Sequence, residues 1–117
     1  QYLFLANNRF EVEISYLPNI QFTEYKEGCF YDNHHDVDWF SRSQTDRKLS
    51  ITIQLTDPNL YEGGDFKFRS GLQPDPQVLR KKGTILVFPS YLEHSVSKVT
   101  KGIRHSLVGW VEGPKWK

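Results

Sequence analysis

With 117 residues the chain has room for one hydrophobic core and not for two domains. Its 38% hydrophobic and 25% charged residues are those of an ordinary globular protein, and a net charge of +1 removes the electrostatic reason to expect nucleic acid or an anionic membrane as partner. The single cysteine, Cys29, excludes an internal disulfide and a multi-cysteine zinc site, which suits a reducing cytoplasm, and no apolar run approaches the roughly 20 residues of a membrane span.

The chain opens at Gln1 with QYLFLANNRF, which has neither a basic start nor a small-residue cleavage site. An upstream segment, expected to be helical, is anticipated, and residues 1–6 read as the last turn of a helix ended by Asn7-Asn8. Short alternating segments follow, broken by Gly, Pro, Asn and Asp. They predict strands near 10–17, 20–26, 29–37, 48–56, 64–69, 78–80, 84–89, 93–99 and 103–112. The clearest is 48–56, where Leu49, Ile51, Ile53 and Leu55 alternate with Ser50, Thr52, Gln54 and Thr56. A period of two places one apolar face on a core and sends a polar face elsewhere. Asp57-Pro58-Asn59 and Gly63-Gly64 are turn signals. Many short strands with almost no helix predict a mainly β fold, either a double-sheet jelly roll or another sandwich. The eight Phe, six Tyr and three Trp suit a β-rich core or an aromatic-lined pocket.

Three pieces of sequence carry chemistry. Asp32-Asn33-His34-His35-Asp36 contains His-x-Asp. On a strand, His34 and Asp36 share a face with Cβ atoms about 7 Å apart, while His35 points to the other face. His94 follows the apolar strand 84–88 and a Pro-Ser turn, so it starts the next strand. Two imidazoles and one carboxylate on one face of an octahedral ion leave three positions for a bidentate cosubstrate and O2. The same three ligands also suit a hydrolytic zinc site, so the residues alone leave the metal open. Arg104, on the strand after His94, has the planar fork that pairs a carboxylate, and Ser106 lies on its face of that strand. His105 points the other way and reads as structural.

Taken together, these residues resemble the prolyl-hydroxylase-like branch of the Fe(II) and 2-oxoglutarate-dependent oxygenases, which includes the bacterial and phage PKHD-type hydroxylases. The resemblance covers roughly residues 20–112. It runs through Tyr25-Lys26-Glu27-Gly28, Tyr31-Asp32-Asn33-His34-His35-Asp36 and Arg47-Lys48-Leu49-Ser50. It continues through the segment Asp57 to Asp65, then Phe88-Pro89-Ser90, His94-Ser95-Val96, the run Val99 to Arg104, and Trp110. It implies a double-stranded β-helix, a cupin-like jelly roll, as a single catalytic core over residues 1–117 with the usual N-terminal helices mostly absent. It implies that His34, Asp36 and His94 hold Fe(II), that Arg104 pairs the distal carboxylate of 2-oxoglutarate, and that the hydroxyl of Tyr25 touches this cosubstrate. Ser106 and Gln54 fall where pocket-lining residues are expected, and Trp110 where core packing lies behind the pocket.

The activity implied is hydroxylation of a protein or peptide substrate, with a prolyl residue favoured. O2 is consumed, 2-oxoglutarate is decarboxylated to succinate and CO2, and ascorbate is a conceivable auxiliary reductant. Relatives that repair nucleic acid carry a second Arg six residues after the first, where this chain has Trp110, so nucleic acid is not expected. Halogenating relatives replace the metal-binding acid, whereas Asp36 is present here. The polar loop Trp39 to Asp46 is expected near the pocket mouth, where a peptide would be covered, while Arg47 reads as an ordinary surface charge, with substrate contact as the alternative. Two other readings are a non-catalytic jelly-roll binding module and a cupin-like zinc enzyme.

Overall fold

The structure, a computed structural model, describes residues 19–40, 42–71 and 73–116. The helical turn expected at 1–6 and the strand expected at 10–17 lie outside them.

Nine strands dominate. In chain order they are β1 (Asn19–Tyr25), β2 (Tyr31–His34), β3 (Thr45–Gln54), β4 (Tyr61–Gly63), β5 (Phe66–Phe68), β6 (Ile85–Pro89), β7 (His94–Val96), β8 (Val99–Gly102) and β9 (Arg104–Pro114). The four-stranded sheet has the order β1-β9-β3-β6, a three-stranded sheet the order β2-β7-β5, and β4 pairs with β8. All these pairings are antiparallel, with neighbours distant in sequence, which is the crossing pattern of a jelly roll and not of a meander.

The register of the large sheet determines what the cavity sees. Ser50 sits opposite Phe88 on one side and Trp110 on the other; Thr52 opposite Leu86 and Val108; Gln54 opposite Ser106, which faces Thr23 on β1. Tyr25 faces Arg104. Because side chains alternate across a sheet, these residues share one face, and it is the polar face of β3 that was predicted to point away from the core. The other face carries Leu49 beside Val111, both completely buried, together with Ile51, Ile53 and Leu107. At its edge, Ile20 and Phe22 of β1 are well exposed.

Two local departures have physical causes. The apolar pair Val78-Leu79 was expected to be a strand but lies in a short helix, α1 (Pro76–Leu79). Asp75 caps it by accepting a hydrogen bond from the Gln77 amide, and Pro76 supplies a first-turn φ. The segment 57–60 is likewise a 3-10 turn (Pro58–Leu60) capped by Asp57, as the turn signal predicted. Beyond it, Gly63 ends β4 at φ +75, where a Cβ would lie 2.1 Å from the Lys98 carbonyl oxygen, so this corner requires glycine. Among the described residues, no helix is long and apolar enough to cross a membrane.

Candidate metal centre

His34 and His94 are direct cross-strand partners in the β2–β7 pair, so the geometry of the sheet brings the two imidazoles together. Asp36 lies just past the end of β2 and is held there by its backbone amide, which donates to the Ser90 carbonyl at 2.8 Å. One ligand atom from each of His34, Asp36 and His94 lies within 4.8 Å of the other two, and these three form the metal-competent group found among the described residues. His35 is exposed, with its ring 6.1 Å from that of Trp39, and does not join the group.

The tautomers follow from hydrogen bonding. His34 Nδ1 is 2.8 Å from the Asp32 carbonyl oxygen, and His94 Nδ1 is 2.9 Å from that of Leu92. A carbonyl only accepts, so both Nδ1 atoms carry the proton and donate, leaving Nε2 with a free lone pair. Those Nε2 atoms approach Asp36 Oδ1 at 3.4 Å and 3.5 Å. Two ligands each about 2.1 Å from one first-row divalent ion lie no more than about 4.2 Å apart, so both His–Asp separations suit such an ion. The second oxygen of Asp36 accepts a hydrogen bond from Ser50 Oγ, which is in turn 2.9 Å from Ser90 Oγ. Burial holds the His94 imidazole below its ordinary pKa, against the opposing effects of its bond to Leu92 and the charge of Asp36. His94 therefore stays neutral, as a metal ligand must.

The three residues line one wall of a cavity of about 550 Å³ whose other lining includes Tyr25, Arg104 and Ser106. Arg104 is only 8% exposed, and among the described residues no carboxylate or carbonyl accepts a hydrogen bond from its guanidinium. Its nearest ring is that of Tyr25, 5.5 Å from the guanidinium carbon. A buried cation without a counter-charge is costly, so this cavity is prepared for an anion. Burial pushes the Tyr25 phenol above its ordinary pKa while Arg104 pulls it down, so the hydroxyl remains a hydrogen-bond donor at neutral pH. Ser106 lines the cavity but its hydroxyl is shared with Thr23 Oγ1 at 2.5 Å. His105, on the opposite face, stacks on Phe22 and approaches Glu24, as a structural residue should.

Several cavity residues were not singled out from sequence. Ser50, Thr52 and Thr23 belong to the polar faces of β3 and β1, and the strict alternation of β3 was the signal that could have found two of them. Phe66 and Phe88 pack their rings against His94 at 5.3 Å and 4.8 Å, excluding water from one side of the site. Arg47 reaches the cavity because the β3–β9 register slips between Arg47 and Leu49. A bulge re-aims a side chain that strict alternation would place on the face of Leu49. The Arg47 guanidinium lies 3.9 Å from the centre of the Trp110 ring, so Trp110 lines the cavity instead of packing behind it. In sequence just after the lining residues Val37 and Asp38, Trp39 is half exposed and Phe40 is 95% exposed.

Comparison with known proteins agrees with this geometry. Residues 20–112 match the family model described as the 2OG-Fe(II) oxygenase superfamily. A PKHD-type hydroxylase of Synechococcus sp. (strain CC9311) is 46% identical over 87 residues, covering 74% of this chain and 38% of the relative. The chain thus spans well under half the length of that relative. Among solved structures, a Pseudomonas putida prolyl-4-hydroxylase superposes with a TM-score of 0.70 at 26% identity, covering 94% of this chain and 60% of that one. A viral collagen prolyl hydroxylase of Paramecium Bursaria Chlorella virus-1 has a TM-score of 0.69 at 21% identity, over 97% of this chain and 69% of that one, which is a likeness of fold.

Proposed function

The chain belongs to the 2OG-Fe(II) oxygenase superfamily, and we propose that it forms the catalytic core of a hydroxylase acting on a prolyl residue of a protein or peptide. The observation that supports this most is the pairing, in one cavity, of a His-Asp-His group with a buried arginine that lacks a counter-charge among the described residues. A hydrolytic zinc site has no need of such an anchor. The proline preference rests on the prolyl hydroxylases among its structural relatives and on a net charge that offers nothing to a polyanion.

In this reading His34 and His94 would hold Fe(II) through Nε2 and Asp36 through Oδ1, with Ser50 fixing the other carboxylate oxygen. With 2-oxoglutarate and O2, Fe(II) held there would supply the oxidising power for a hydroxylation in which 2-oxoglutarate would leave as succinate and CO2 and one oxygen atom would enter a substrate C–H bond. Arg104 pairs the distal carboxylate of 2-oxoglutarate, and the Tyr25 hydroxyl donates a further hydrogen bond to it. Ser106, held by Thr23, lines the same end. Phe66 and Phe88 keep water from the metal side, while Arg47, Trp110 and the loop bearing Trp39 and Phe40 face the incoming peptide.

The test is to supply Fe(II), 2-oxoglutarate and proline-containing peptides and to measure succinate together with the peptide mass. Succinate formation and a gain of one oxygen on proline are expected, both lost in Asp36→Ala. No succinate with any peptide, or turnover that survives Asp36→Ala, contradicts the reading.

A further inference from the structure

Arg104 does not close the cavity it borders. Behind it lies a second cavity of about 230 Å³, lined by Gln54, Tyr61, Gly64, Leu79, Arg80 and Leu86 among others. The two cavities share Arg104, Thr52 and Phe66, but none of the three metal-competent residues borders the second one. Arg104 is therefore a partition between the metal side and a rear chamber, not the end wall of a blind pocket. That chamber is several times the ~30 Å³ that one water occupies in the liquid.

Two features make the partition movable, and a third leaves it the buried cation of the chamber. The Arg104 stem passes over Gly64, where a Cβ would lie only 3.1 Å from Arg104 Cδ, so glycine leaves the stem room to shift. No hydrogen bond to another described side chain holds the guanidinium forward. Arg80 is already bound to Asp65 and to the carbonyls of Gly63 and Tyr61, and Lys67 borders the chamber from an exposed position, so Arg104 is the buried cation available to an incoming carboxylate.

Gln54 provides a polar stop inside the chamber. Its Nε2 donates to the Tyr61 hydroxyl at 2.5 Å and, over a long 3.4 Å, to the Thr56 carbonyl, and its Oε1 is buried without a partner. A phenol both donates and accepts, so the amide keeps the Tyr61 bond when turned over and gives up the long one to Thr56. Reversed, Oε1 accepts from Tyr61 and Nε2 takes the place of the partnerless oxygen, free to donate to a carboxylate.

We propose that the cosubstrate site accepts 2-oxo diacids longer than 2-oxoglutarate, 2-oxoadipate first among them, with Arg104 retreating into the rear chamber and Gln54 as its added hydrogen-bond partner. This rests on the cosubstrate reading given above. A rigid pocket rejects one extra methylene by roughly 10–200-fold; a movable partition should not.

The test is calorimetric titration of the Mn(II)-loaded protein with each diacid, which reads binding without turnover. The affinities for 2-oxoadipate and 2-oxoglutarate are expected to lie within about tenfold of one another, below most of that range. Leu79→Trp, and Leu86→Phe as a second way of filling the chamber, should weaken 2-oxoadipate selectively and leave 2-oxoglutarate binding unchanged. Binding of 2-oxoglutarate with 2-oxoadipate more than about 100-fold weaker overturns the inference alone, since a rigid pocket does that. Equal effects of either filled variant on both diacids also overturn it. Failure of both diacids to bind overturns the cosubstrate reading and this inference with it.

Discussion

Asp36 offers one carboxylate oxygen to the shared metal point and keeps the other against Ser50, so the orientation of a ligand depends on a residue that never meets the ion. Removing such a partner typically costs 10–100-fold in metal affinity. Ser50→Ala is expected to weaken Mn(II) or Fe(II) binding by about that factor while thermal unfolding of the metal-free protein changes little, because the Ser90 hydroxyl beside it stays in place. Unaltered metal affinity would show that Asp36 is oriented by something else. His94 makes a second prediction. Its pKa in the folded protein lies below the ordinary value, so the unfolded chain binds the extra proton more readily. Stability of the metal-free protein should therefore fall as pH drops through about 6.5 and recover as pH rises above it. Urea midpoints of the protein and of His94→Asn, compared between pH 5 and 7.5, read this directly. The variant should lack the acid-side loss, and parallel profiles would contradict the assignment.

At the scale of the elements, β3 does two jobs with its two faces. Leu49, fully buried opposite Val111, anchors the sheet; Leu49→Ala should lower unfolding free energy by about 2–5 kcal/mol, measured by denaturant unfolding. A loss well under 1 kcal/mol would mean that this face is not packed as described. Ser50, Thr52 and Gln54 on the other face line the cavities. The alternation of β3 was legible in the sequence, whereas the meeting of His34 and His94 was an implication of the family resemblance and not of the alternation. What alternation does not encode is the destination of the polar face, because a strand facing solvent and a strand facing a polar cavity have the same pattern. Arg47 illustrates another limit: a register slip that appears only once β3 is paired with β9 turns it toward the cavity. The expected strand at 78–80 failed for a local reason. Two apolar residues carry little periodicity, whereas Asp75-Pro76 carries a cap and a first-turn proline.

For the molecule as a whole, the jelly roll turns two weak local signals into one site by bringing chain positions about sixty residues apart onto facing strands. The family resemblance seen in the sequence gained its physical content from Arg104, whose lack of any counter-charge among the described residues is visible only in three dimensions. A cation of this kind links the metal to the diacid. If the diacid binds the ion directly, it tightens the metal, and by reciprocity the metal tightens the diacid by the same factor. The most direct test is therefore a Mn(II) titration with and without 2-oxoglutarate, repeated on Arg104→Ala. The diacid is expected to tighten Mn(II) binding by about tenfold or more, within the usual 5–150-fold range of such couplings, and Arg104→Ala to abolish that tightening while leaving the intrinsic metal affinity alone. Metal binding indifferent to 2-oxoglutarate, or coupling that survives Arg104→Ala, would contradict the account.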